Sequence, residues 1–189
     1  MKPLPMAACM ALALASTSAR ADEDKFRIKL EGYQEVPSVS TAASGEFAAD
    51  IGRNDTYIDF ELTYRDLQGP VRQAHIHVAQ KSVNGAIVLW LCQTALNPAP
   101  ATVAARVQTC PQSGTVRGRL TADDVVGPQP PGTAAPQQIT DGELAEVIAA
   151  MRARVAYVNV HTTPTPTGEI RGQLGGPRRG DHGHRGHRD

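Results

Sequence analysis

The chain has 189 residues, with 19 lysines and arginines against 19 aspartates and glutamates and only 4 % aromatic residues. That length gives room for one domain with one core, and the even charge balance gives no support for nucleic-acid binding. No segment beyond the N-terminus is apolar over a length that would span a bilayer.

Residues 1–21 read as an export signal. Lys2 precedes an apolar run from Met6 to Ala15, and Ala19-Arg20-Ala21 supplies an A-x-A cleavage site before Asp22. A periplasmic or secreted protein is expected. Cleavage removes Lys2 and Arg20 and leaves 17 basic against 19 acidic residues, a net −2.

Phe26 to Leu30 alternates apolar and basic residues and predicts a first strand, which Pro37 keeps from continuing. Gly45 to Ile51 predicts a second strand, followed by a turn at Arg53-Asn54-Asp55. Tyr57 to Tyr64 then places Ile58, Phe60, Leu62 and Tyr64 inward and Tyr57, Asp59, Glu61 and Thr63 outward.

Ala74-His75-Ile76-His77-Val78 is a strand whose Gln73, His75 and His77 share one face and Ala74, Ile76 and Val78 the other. Asn84-Gly85 has hairpin-turn composition, and Ala86 to Leu91 is apolar enough to be buried on both faces, with Trp90 in the core. Only Cys92 and Cys110 remain after cleavage. An exported chain most simply pairs them; the alternative, a thiolate metal site, lacks CxxC spacing. The Cys92 to Gln112 stretch between strands is then a pinned excursion.

Thr115 to Leu120 predicts another strand, and Gly127 to Pro136, with four prolines, an irregular loop. Thr140 and Glu143 have capping-box spacing, with Thr140 as N-cap of a short helix to about Arg152 whose Leu144, Val147, Ile148 and Met151 cover the core. Ala156 to His161 repeats the earlier pattern: Ala156, Val158 and Val160 on an apolar face, Tyr157, Asn159 and His161 on a polar one. Gly168 to Leu174 is the last strand, in which Glu169 and Arg171 share a face and are expected to pair with Asp59 or Glu61. Residues 175–189 hold three histidines, His182, His184 and His187, among glycine, arginine and aspartate. Such a tail cannot bury a core and is expected to be disordered, with loose metal capture as one use. Many short strands and one late helix predict an all-β fold, an antiparallel Greek-key-like β-sandwich decorated by that helix, over residues 22–174.

The chemistry centres on the histidines. A His-x-His pair on a strand presents two imidazoles roughly 6.5–7 Å apart at the backbone, and His161 from a neighbouring strand completes a triad suited to copper or zinc. With an ordinary imidazole pKa of about 6.5, metal loss is expected below roughly pH 6. Other chemistry is poorly supported. Glu35 and Glu169, readable as an acid/base pair, are expected to be solvated or paired with arginine. No G-x-S-x-G, P-loop or dinucleotide loop is present.

Several stretches together resemble one family: Leu30-Glu31-Gly32-Tyr33-Gln34-Glu35-Val36-Pro37, Ala74-His75-Ile76-His77 with Asn84-Gly85, Gly118 to Asp124, and Ala156 to Thr162 with Gly168 to Leu174. The set is similar to the CHRD domain, repeated in the secreted developmental protein chordin and found singly in many exported bacterial proteins. Ser38 departs from the pattern, standing where a second proline is common. The resemblance implies an extracytoplasmic β-sandwich, and no ligand carries over with it. A weaker likeness, to copper-zinc superoxide dismutases, makes His75, His77 and His161 resemble three copper ligands and Arg171 a candidate guiding charge, but the bridging histidine and the zinc cluster are missing.

Three expectations follow. The first is a non-catalytic binding module holding copper or zinc at His75, His77 and His161. The second is a structural or adhesive sandwich without metal, and the third a reduced dismutase-like redox enzyme. Partners beyond a metal ion would be an extracytoplasmic protein or polysaccharide.

Overall fold

The structure is a computed structural model that describes residues 24–128 and 137–175. The expected signal at 1–21, most of the proline loop and the tail histidines His182, His184 and His187 lie outside the described residues. Eight strands form: β1 (Lys25–Glu31), β2 (Ser44–Ile51), β3 (Ile58–Arg65), β4 (Val71–Val78), β5 (Ala86–Cys92), β6 (Gly114–Leu120), β7 (Ala156–Thr162) and β8 (Ile170–Leu174). They make one sheet in the order β5-β4-β7-β8-β1-β2-β3-β6, with every strand pair antiparallel. The sheet folds over its own apolar face, so the fold is all-β and sandwich-like. β3 and β4, and likewise β6 and β7, are consecutive in the chain but far apart in the sheet, which is the Greek-key-like feature.

Period-2 alternation builds the core. Ile58, Phe60, Leu62 and Tyr64 on β3 are buried together with Phe47, Ile76, Val158, Val160 and Ile170 from four other strands. The edge of β5 is covered by segments on either side of β6, with Val126 N–H donating to Val88 O at 3.0 Å and Cys110 N–H to Gln93 O at 2.8 Å. The Cys92–Cys110 disulfide lies at this seam, so it ties the end of β5 to the approach to β6. In the chain-entropy view, a loop of this size contributes about 3 kcal/mol.

The helix α1 (Leu144–Arg152) buries Leu144, Val147, Ile148 and Met151, as its spacing predicts. Its start differs from expectation. Glu143 caps the helix by conformation, and only the backward half of the box forms, Thr140 N–H to the Glu143 carboxylate at 2.7 Å. Gly142, at φ +85°, puts a turn between the two residues, so Thr140 is too far back to cap the helix. Arg152, in the last turn, binds Asp24 and Asp55 and pins the helix to the start of β1 and the turn after β2.

The β4–β5 connection also corrects the sequence reading. Its tight turn falls at Lys81-Ser82, with Val83 N–H donating to Gln80 O at 3.1 Å and Ser82 at φ +64°. Asn84-Gly85 is not the turn because both residues are engaged elsewhere. The loop folds back over the outward face of β7 and β8, where Gln173 donates to Ala79 O and Arg171 to Val83 O.

Candidate metal centre

β4 and β7 are direct neighbours, paired Gln73 with His161, His75 with Asn159 and His77 with Tyr157. Because side chains alternate, this register puts all three histidines on the outward face and their apolar neighbours in the core. That face is not wet: His75, His77 and His161 are 0 %, 6 % and 5 % exposed. The β4–β5 loop covers it on one side. On the other lies a small second cluster of Trp90, Ala99, Val103 and Val126, to which the disulfide-pinned excursion contributes Ala99 and Val103. Trp90 meets the His75 ring edge-on at 4.2 Å, so this tryptophan is both core and wall of the site.

One ligand nitrogen from each of the three rings fits into a group whose members all lie within 4.8 Å of one another. The rings are oriented by backbone carbonyls. A carbonyl only accepts, so His77 donates from Nδ1 to Gly85 O at 3.0 Å and His161 from Nδ1 to Pro166 O at 3.0 Å. These neutral tautomers leave both Nε2 atoms as lone-pair donors, and a carbonyl on the opposite ring nitrogen is the partner that orients a metal-ligating histidine. Nε2 of His77 and Nε2 of His75 are buried without a hydrogen-bond partner, whereas Nε2 of His161 lies 3.2 Å from His75 Nδ1 and 2.9 Å from Asn159 Oδ1. A ring that donates from Nδ1 has no proton for that amide oxygen, and rotating the amide keeps its hydrogen bond to Glu35 only while that carboxyl is protonated. A cation among these acceptors would resolve the mismatch.

Burial keeps the rings neutral. It pushes His77 down to about 3 and His161 to about 4, and His75 well below the usual imidazole range, with the neighbouring histidines adding to the shift at His75. Neutral imidazole is the form that binds metal.

The surroundings hold four residues whose roles the sequence reading missed or misplaced. Glu35, expected at a wet edge, is buried, and burial raises its carboxyl to about 7 against the opposing pull of Arg171 and Asn159. Glu169 is also buried rather than solvated, accepting from Thr41, Thr162 and Gln68 N–H at 2.7–2.9 Å. Arg171 does not pair with Asp59 or Glu61, which bind Arg119 and Arg117. It donates instead to Asn84 Oδ1 and Val83 O, and its guanidinium lies 3.4 Å over the Tyr157 ring, which in turn stacks on His77 at 4.6 Å. Gly85 donates to the Tyr157 hydroxyl, and a methyl group here would collide with Val78 O. Shared-face spacing of Tyr157, Asn159 and His161 was visible in the sequence; the approach of Glu35 and the 79–85 loop had no local signal.

The CHRD domain family matches residues 26–174, and the chain belongs to that family. No curated protein and no solved structure matches the chain. Among the described residues no other group of histidine, cysteine, aspartate and glutamate side chains gathers as a metal site, so the zinc half of a dismutase-type centre has no counterpart there.

Proposed function

We propose that this CHRD domain is a non-catalytic metal-binding module that holds one copper or zinc ion at His75, His77 and His161. The observation that carries this reading is the convergence of three buried, neutral imidazoles with Nδ1 of two of them anchored to carbonyls and buried Nε2 atoms left without partners. A buried acceptor with no donor is costly, and a bound cation offsets that cost here. Export belongs to the same reading: the A-x-A signal at 19–21 and a disulfide that persists in oxidising compartments point to the periplasm or beyond. There the partner besides the ion would be an extracytoplasmic protein or polysaccharide.

The test is metal content of the full chain purified from its export compartment without an affinity tag. It is measured beside His75→Ala/His77→Ala and beside a variant lacking His182, His184 and His187. One equivalent in the native protein and the tail variant, and none in a folded double variant, is expected. Metal content unchanged in the double variant overturns the reading. The 3.2 Å contact between His75 and His161 favours a second reading, a metal-free structural or adhesive sandwich. That one predicts no stoichiometric metal in any form and a destabilised triple-histidine variant.

A further inference from the structure

The charge of the ion is constrained by what surrounds the triad. All three donors are neutral, and no carboxylate or thiolate of the described residues joins their cluster. Glu169 is held by Thr41, Thr162 and Gln68, while Glu35, which burial raises to about 7 against the pull of Arg171, is bound by Asn159 and packs on the Gly168 backbone. The permanent charge stacked toward the site is a cation. Arg171 is 1 % exposed and is fixed by Asn84 Oδ1 and Val83 O, with Tyr157 alone between its guanidinium and the His77 ring.

We infer that the triad is a cuprous site, holding Cu(I) in preference to Zn(II), with Arg171 as the residue that sets the preference. This rests on the metal-binding reading above. A singly charged d10 ion is content with three neutral nitrogens and needs no anionic ligand. A dication brings twice the charge into a buried pocket, and burial penalises charge that is not paired. Each added unit of charge also faces the guanidinium at roughly 8–10 Å, which at an effective dielectric of about 20 weakens binding on the order of tenfold.

The experiment titrates the metal-free full chain anaerobically with Cu(I) against bicinchoninate, and with Zn(II) against a chromophoric chelator. Wild type, Arg171→Gln and Arg171→Lys are compared. The wild type takes one equivalent of Cu(I) and prefers it to Zn(II). Arg171→Gln narrows that gap on the order of tenfold by strengthening Zn(II), and Arg171→Lys, which keeps the charge, retains the gap. Zn(II) binding as tightly as Cu(I) in the wild type overturns the inference, as does a gap that Arg171→Gln leaves unchanged. If neither ion binds the wild type, the metal reading itself falls instead. Should Arg171→Gln not fold, Arg171→Met, which also removes the charge, is titrated in its place: a narrowed Cu(I)-to-Zn(II) gap supports the inference and an unchanged one overturns it.

Discussion

On β1, β2, β3 and β6 the outward residues reach solvent and pair across strands: Lys25 with Asp50, Arg119 with Asp59, Arg117 with Glu61, and Thr63 with Thr115. On β4, β7 and β8 the outward residues are just as polar, His75, His77, Tyr157, Asn159, His161 and Arg171, yet each is buried. The same alternating pattern therefore gave one face that water solvates and one that the protein must satisfy by itself. A polar group on the first face can lose its partner to water at little cost, whereas on the second face a lost partner leaves a desolvated group behind.

Glu169→Ala is the largest break expected in that contrast. It strips one acceptor from Thr41, Thr162 and the Gln68 backbone N–H at once, and leaving three donors without their buried acceptor costs about 3 kcal/mol or more. Denaturant unfolding measures it, and a loss under about 1 kcal/mol would mean that the buried face behaves like the exposed one. Gly85→Ala comes next, because its methyl meets Val78 O and moves the carbonyl that orients His77. A stability loss of about 1–3 kcal/mol is expected, together with metal affinity lower by about tenfold or more. Unchanged affinity in a destabilised protein would separate the loop from the site.

The pH dependence sharpens the contrast further. The unfolded histidines take up protons near the usual 6.5, but the buried ones wait until about 4 at His161 and about 3 at His77. Between these values the unfolded state binds more protons, so stability is full above 6.5 and lost as pH falls toward 3–4. Each ring adds a slope of about 1.4 kcal/mol per pH unit. Glu35 runs the other way: its carboxyl rises from 4.5 to about 7, so its contribution is full below 4.5 and lost as pH rises to 7. The metal-free protein is expected to be most stable near pH 6.5, as thermal unfolding across pH will show, and Glu35→Gln should remove the fall above 6.5 and steepen the rise between 4.5 and 6.5, where Glu35 opposes the histidines. If the triad holds metal as proposed, its loss is expected well below the pH 6 of an ordinary imidazole, because burial depresses the rings. Arg117→Ala, on the exposed face, is the smallest effect, below about 1 kcal/mol, since its side chain is 66 % exposed.

The strands, the helix and the inward residues of β3 were legible because periodicity is local: a side chain's face follows from its place in the alternation, whatever lies elsewhere in the chain. His75 and His77 were legible as neighbours for the same reason, and Cys92 with Cys110 because elimination left a single pair. Reading Asn84-Gly85 as the turn failed because composition marks where a chain can bend, not whether a distant group has already engaged those residues; Arg171 and Tyr157 had. The solvated reading of Glu35 and Glu169 failed likewise, since their burial depends on segments more than a hundred residues away in the chain. By itself, then, the sequence determined an antiparallel β fold and which face of each strand carries the histidines. Only the tertiary structure decided that this face is dry, that His161 joins His75 and His77 there, and that a buried guanidinium stands behind them, because cover and charge at a site are set by long-range loop packing that local alternation does not encode.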